Sequence, residues 1–339
     1  MTPAGRALRV LAGSVTLSCV IHAQDGTPPP LPPPGRLVDI GGWRLHLHCT
    51  GEAKPGQATV VLEAGLGDFS VEWSLVQPKV TGFARVCSYD RAGHGWSELG
   101  PYPRTMRQID YELHALLDKA EIRPPYVLVG QSLGAWLVRM FASMYPAEVA
   151  GMVLVDGGFD NPWRLLADGK LIRAAELNRN RPVPAAKTSA PLRISDIPAG
   201  AMAQMKAAAG TAAATANEPP RDKLPADAQR MRTWGVSQWQ HYAAAVNPFE
   251  YEELAALRTE RLSGEAILGD VPLVVLTRGI PDGDTDERER TSELAELAKM
   301  SRNGNHVIAR RSGHHIHIDE PDLVVEAIRG VTRSGAVRK

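Results

Sequence analysis

The chain has 339 residues, 44% of them hydrophobic, which suffices for one large α/β domain carrying an insertion or for two smaller domains. Lysine plus arginine equals aspartate plus glutamate at 38 each, and that balance argues against a nucleic-acid binder, which normally shows a basic excess. Past the N-terminal stretch no run of 18 or more apolar residues occurs, so no membrane span is expected in the mature chain.

Residues 1–24 read as an export signal. Arg6 and Arg9 supply positive charge, 10–21 are mostly apolar but short, and His22-Ala23-Gln24 offers a cleavage region. The expected location is periplasmic or secreted. A lipoprotein signal ending at Cys19 is the lesser alternative, because Thr16 stands where such signals prefer leucine. Residues 25–35 hold six prolines. With so few backbone donors the segment favours extended polyproline II and serves as a tether. Cys19, Cys49 and Cys87 show no CxxC spacing and make no zinc site. Once Cys19 leaves with the signal, the remaining two either form one disulfide in an oxidising compartment or stay as buried thiols.

Beyond the tether, strand and helix signals alternate, which argues for a mostly parallel sheet covered on both faces. Residues 36–40 and 43–49 read as strands joined at Gly41-Gly42, and 59–62 as a short apolar strand running into Ala64-Gly65-Leu66-Gly67. A strand at 85–89 ends in Asp90-Arg91-Ala92-Gly93. Met106, Ile109, Leu113, Leu116 and Leu117 recur at helical spacing and predict a helix over 105–120. Residues 126–129 have the composition of a fully buried strand, 133–145 that of a helix stopped by Pro146, and 149–155 that of a second buried strand. From 157 to 268 the chain is rich in Ala, Met, Arg and Pro and shows no convincing strand. It suits short helices, among them 226–245 and 250–262, with an alanine-rich helix former at 208–216, and reads as a helical cap. The sheet pattern resumes at 271–276 and 306–309, with helices at 287–299 and 323–331. The core domain is therefore expected at 36–156 and 269–332, with the cap between.

Gly130-Gln131-Ser132-Leu133-Gly134 follows a buried strand and precedes a helix, the context a nucleophile elbow requires. Gly130 and Gly134 lack a Cβ and let strand and helix approach. The Ser132 hydroxyl would then project at a helix N-terminus, where free amides favour developing negative charge, and the Leu133 amide would supply one oxyanion donor. The second is expected from Leu66, in a small-residue loop after the 59–62 strand. His314, in a loop after a predicted strand near the C-terminus, is the candidate base. His315 and His317 beside it lack the spacing of a metal site, and no metal is expected. Asp156 and Asp282 suit the third place equally: each follows a strand, and each keeps the order Ser, Asp, His. Asp284 is a third choice. Asp90 and Arg91 read as architectural, satisfying loop backbone groups and each other, and His94 as no base, since His314 already suits that role.

Leu62-Glu63-Ala64-Gly65-Leu66-Gly67, Tyr89-Asp90-Arg91-Ala92-Gly93-His94-Gly95-Trp96-Ser97, the elbow and Ser312-Gly313-His314 together resemble the α/β-hydrolase superfamily, most nearly its capped esterase and lipase-like members, over 36–331. The resemblance implies an α/β-hydrolase fold: a mostly parallel eight-stranded sheet with a helical cap inserted between strands six and seven. It implies Ser132 as nucleophile, His314 as base, and Leu66 and Leu133 as oxyanion amides. Many relatives have His-Gly where this chain has Ala64-Gly65. The resemblance also implies a second strand running antiparallel beside that of Cys87, which makes Cys49 and Cys87 neighbours and a disulfide between them an expectation.

The expected activity is hydrolysis of a carboxylic ester of small-molecule type through an acyl-enzyme, without metal or organic cofactor. Trp234, Trp239 and the methionines of the cap would wall an acyl pocket. Two alternatives stand beside it. One is an aminopeptidase of the proline-iminopeptidase-like kind, with Glu250, Glu252 and Glu253 holding the substrate amine. The other is a non-catalytic ligand-binding protein of the same fold.

Overall fold

The computed structural model of the chain describes residues 31–166, 168–264, 266–283 and 287–335. The expected signal at 1–24, the tether up to residue 30, and Asp284 lie outside these residues.

The central layer is a sheet of eight strands: β1 (Arg36–Asp39), β2 (Arg44–Thr50), β3 (Thr59–Glu63), β4 (Val86–Tyr89), β5 (Tyr126–Gln131), β6 (Val149–Val155), β9 (Leu273–Arg278) and β10 (Gly304–Ala309). Their spatial order is β1-β2-β4-β3-β5-β6-β9-β10; β2 runs antiparallel to both its neighbours and every other pairing is parallel. Two short strands, β7 (Trp163–Leu165) and β8 (Leu171–Arg173), form a separate antiparallel hairpin.

The unbroken apolar runs of β3, β5 and β6 follow from burial on both faces. Val61, Leu128, Met152 and Leu154 pack toward α2 (Met106–Lys119) and α3 (Leu133–Met144), against Leu113, Leu116, Val138 and Phe141. The alternate residues Val60, Val127, Val129 and Val153 face α1 (Gln77–Val80) and α11 (Pro321–Gly335), against Val80, Val324, Ile328 and Val331. Each such side chain, taken out of water, contributes roughly 1.5–3 kcal/mol. Helix α2 starts where Thr105 accepts from the Gln108 amide at 3.0 Å, a side-chain N-cap.

Between β6 and β9 the chain carries the β7–β8 hairpin and the helices α4 (Ala174–Leu177), α5 (Ala199–Ala214), α6 (Ala226–Val236), α7 (Gln240–Ala243) and α8 (Glu250–Leu262). Helices α9 (Glu287–Ala298) and α10 (Ile316–Asp319) complete the set before α11. The hairpin departs from the strand-free expectation for this stretch. Its strands are three residues each, too short for an alternating pattern to show, and its turn uses Gly169 at φ 82°. The continuous helix expected over 226–245 breaks after Val236, where Ser237 Oγ donates to the Trp234 carbonyl at 2.7 Å and Gly235 packs directly on the Phe69 ring. Buried ionic contacts fasten this segment to the sheet layers. Asp160 binds Arg139 of α3 and Arg261 of α8, Arg232 of α6 binds Asp68 and Glu72, and Glu253 of α8 accepts from the first two amides of α2, Met106 at 2.8 Å and Arg107 at 3.0 Å.

Cys49 of β2 and Cys87 of β4 are register partners and form a disulfide. In the chain-entropy account, closing a loop with a sequence separation of 38 stabilises on the order of 4 kcal/mol. A protein starting at residue 25, denatured without reductant, is therefore expected to titrate no free thiol, and reduction should lower its melting temperature. Two free thiols would reject the bond.

Candidate active site

Four loops meet at the C-terminal ends of parallel strands: Leu66 after β3, Ser132 after β5, Asp156 after β6 and His314 after β10. This is the sheet edge at which open α/β folds assemble their sites.

Ser132 stands between β5 and α3 with φ 54° and ψ −117°, a conformation non-glycine residues hold only under constraint. The constraint is visible. The Ser132 amide donates to the Val155 carbonyl at 3.1 Å, and its carbonyl accepts from Ala135 at 3.0 Å. A Cβ on Gly130 would lie 2.2 Å from the Gly134 carbonyl oxygen, and one on Gly134 would lie 2.4 Å from that of Glu63, so strand, helix and β3 loop touch backbone to backbone. Leu133 opens α3, and its amide has no carbonyl four residues earlier within the helix.

The loop of Leu66 is held from beneath by Arg91. The buried guanidinium donates to the carbonyls of Ala64 (2.7 Å), Gly65 (2.5 Å) and Asp68 (3.2 Å) and to the Glu63 carboxylate. In a trans peptide carbonyl and amide point oppositely, so a Gly65 carbonyl turned onto Arg91 turns the Leu66 amide away from it. The pairing of Asp90 with Arg91 expected from sequence is not the one formed: Asp90 accepts from the amides of Ser70 and Trp96 and lies 2.9 Å from His46 Nδ1, while Arg91 takes Glu63.

His314 Nδ1 lies 2.6 Å from Asp156 Oδ2. Asp156, fully buried with φ 41°, also binds Arg290 Nη2 through Oδ2 at 2.8 Å and the Arg278 amide through Oδ1 at 3.0 Å. Burial alone would raise this carboxyl, but the His314 hydrogen bond, the Arg290 charge and the Arg278 amide outweigh it and hold the group below its ordinary value. Asp282, the equal candidate from sequence, is instead bound to the Arg278 guanidinium through both oxygens. Four residues after Arg278, it is captured by its own strand's last side chain before it can reach the imidazole.

His314 Nε2 faces the side-chain amide of Gln131 at 3.3 Å, and no hydrogen bond joins it to Ser132 Oγ in this structure. Catalytic contacts are often loose without substrate and tighten in the complex. Gln131 is buried, donates as well to the His314 carbonyl at 3.3 Å, and places its oxygen beneath Gly65, where a Cβ would lie 2.3 Å away. It thus ties the elbow, the Leu66 loop and the His314 loop together.

A cavity of about 200 Å³ opens beside Ser132, with Leu66, Leu133, Met106, Ile109 and Trp136 among its walls. Trp234 and Trp239 do not line it; Trp234 packs against Trp96 with ring centres 5.2 Å apart. Gln131, Arg278 and Arg290 are the residues of this site that sequence reasoning passed over. Gln131 sat inside the motif, and its place beside the serine was the available signal. Arg290 lies in a run of alternating charges, Glu287-Arg288-Glu289-Arg290, that reads as a solvated helix face.

Comparison with known proteins bears on this arrangement. A family model described as the alpha/beta hydrolase family matches residues 60–327. A protein named "AB hydrolase superfamily protein" from Gibberella zeae is 23% identical over 310 residues, 82% of this chain and 87% of that protein. The chain spans far less of another relative: a protein named "Probable transporter efuK" from Hormonema carpetanum is 34% identical over 125 residues, 35% of this chain and 18% of that protein. Among solved structures, a thermophilic esterase from Thermogutta terrifontis superposes with a TM-score of 0.59 at 18% identity, over 89% of this chain and 100% of that one. At that identity the likeness concerns the fold.

Proposed function

The chain belongs to the alpha/beta hydrolase family, and from that premise we propose that it is a serine hydrolase cleaving carboxylic esters through an acyl-enzyme. The observation that carries the reading is the pairing of the buried Asp156 with His314, set at the same sheet edge as a serine held at φ 54°. Ser132 Oγ attacks the carbonyl carbon while His314 Nε2 takes its proton. Oxygen negative charge develops toward the amides of Leu66 and Leu133. The C–O bond to the alcohol breaks, and His314 returns the proton to the departing oxygen. Water then repeats the sequence on the acyl-enzyme. Asp156 keeps the Nδ1 proton in place and stabilises the imidazolium. The scheme uses neither metal nor organic cofactor.

The aminopeptidase reading needs an uncompensated carboxylate near the cavity. Glu250 is paired with Arg164, Glu252 with Arg181, and Glu253 with the amides that open α2, which supports esters over peptides. We also place the mature protein in the periplasm or outside the cell, since the Cys49–Cys87 bond suits an oxidising compartment.

The test is a fluorophosphonate probe followed by a series of p-nitrophenyl esters. Labelling confined to Ser132 is expected, with kcat/KM rising to a medium acyl chain and falling beyond it. A cavity of about 200 Å³ exceeds by little the 150 Å³ or so that houses benzene. An unlabelled protein that turns over no ester would favour a ligand-binding role instead.

A further inference from the structure

Resting on the hydrolase reading above, we propose that the substrate's leaving group is a neutral, hydroxyl-rich alcohol, seated in a second cavity on the far side of Leu66 from the acyl cavity. This second cavity measures about 410 Å³ and shares Leu66 and Ala245 with the one beside Ser132. A carbonyl held by the Leu66 amide sits at their boundary, so the two halves of an ester extend into one cavity each.

Proton return decides which half goes where. The leaving oxygen must stay within reach of His314, and the His314 loop lies against the residues that form the second cavity. Arg221 and Asp68, which line it, act electrostatically on His315; Ile318 packs in the same cluster as Ala216 and Val236, which also line it; and His317 Nε2 is 3.8 Å from Glu72, the partner of Arg232. Among the described residues, none of 312–319 lines either cavity, but the charged neighbours of that loop, Asp68, Glu72 and Arg221, stand on the side of the second. The acyl half therefore takes the wall of Met106, Ile109 and Trp136, and the alcohol half takes the ionic one.

The chemistry of that wall selects the alcohol. Asp68 accepts from Arg221 and from Arg232, each at 2.9 Å, and Glu72 receives the same two arginines. Two guanidiniums and two carboxylates leave no net charge, only fixed donors and acceptors. His241 adds an uncharged ring, since burial pushes its pKa down to about 4, and its buried Nδ1 has no hydrogen-bond partner among the described residues. Thr215 and Tyr242 add neutral hydroxyls, and the exposed Glu218 stays in water at the rim. An alkyl alcohol makes no use of the donors and acceptors that these mutually paired groups still present, and an ionic one loses its hydration without meeting an opposite excess. Several hydroxyls match donors and acceptors at once.

The experiment compares kcat/KM on four butyrate esters, those of methanol, glycerol, choline and glycolate, in the wild type, Thr215→Trp and Tyr242→Phe. The wild type should favour the glycerol ester over the methyl ester by roughly tenfold or more, with both ionic esters below it. Thr215 is exposed at the end of α5, so tryptophan there fills the cavity from the solvent side; the glycerol-to-methyl ratio should fall roughly tenfold. Tyr242→Phe should lower it roughly threefold, as loss of one hydrogen bond does. Because the readout is a ratio, general damage to the enzyme cancels. Ser132-dependent hydrolysis with a ratio near one, an ionic ester in first place, or a Thr215→Trp ratio equal to that of the wild type would overturn the proposal alone. Absence of any Ser132-dependent hydrolysis would remove the reading beneath it, and the proposal with it.

Discussion

Ser132→Ala should lower kcat on p-nitrophenyl butyrate by about 10⁶-fold while leaving the melting temperature within a degree or two, about the effect of losing the nucleophile in subtilisin. The two halves of that expectation have separate grounds. Turnover disappears because, in the proposed scheme, this hydroxyl is the group that attacks the ester carbonyl. Stability persists because Ser132 Oγ bonds to no group among the described residues, so its removal orphans no partner, and alanine meets the same backbone angles at φ 54° as serine does. Circular dichroism beside the rate measurement separates the two. A loss below about 10²-fold would place the nucleophile elsewhere.

Asp156→Asn and Asp282→Asn should differ by more than any other pair of conservative changes in the chain. Asparagine at 156 turns an amide toward His314 Nδ1, stabilises the wrong tautomer and withdraws the charge that steadies the imidazolium; the serine-protease precedent is about 10⁴ in kcat. Asp282→Asn alters a partly exposed pair with Arg278, away from the imidazole, and should change kcat by no more than about threefold. Asp156→Asn also leaves Arg290 facing an uncharged group in a buried place, a loss on the order of 3 kcal/mol, so rates must be referred to the folded fraction. The same linkage gives a pH dependence. A carboxyl held below its ordinary value contributes stability that is complete above the unfolded-state pKa and is lost as pH falls through the lower folded one. Wild type should therefore lose stability on acidification over that window, and Asp156→Asn should lose less. Equal and mild losses of kcat in both variants would remove Asp156 from the scheme.

The sheet was legible because its central strands are buried twice over. Val127-Leu128-Val129 and Met152-Val153-Leu154 need no alternation to declare themselves, and their neighbours in the chain supply the glycines and prolines that stop them. The elbow was legible for a related reason: only glycine fits where Gly130 and Gly134 meet backbone, so the spacing survives as a pattern. The choice between Asp156 and Asp282 was not legible. It is made by Arg278, which draws Asp282 back along its own strand, and by Arg290, 134 residues from Asp156, which holds that carboxylate toward His314. Neither arginine carries a mark in the sequence that distinguishes it from a surface charge. The β7–β8 hairpin and the break after α6 were missed because strands of three residues and a single serine-capped turn leave no period to read.

Glu253 carries a last consequence. Its carboxylate closes the N-terminus of α2 from the opposite layer, at amides 147 and 146 positions away in the chain. The helical segment after β6 thus completes the start of α2 and is not independent of it. A minimal enzyme made by excising it would begin α2 with two bare amides, and a chimera taking the segment from a relative would need to bring an acid to the same spot. Grafts that supply one should fold, and grafts that do not should fray where α2 begins, some distance from the junctions that were cut.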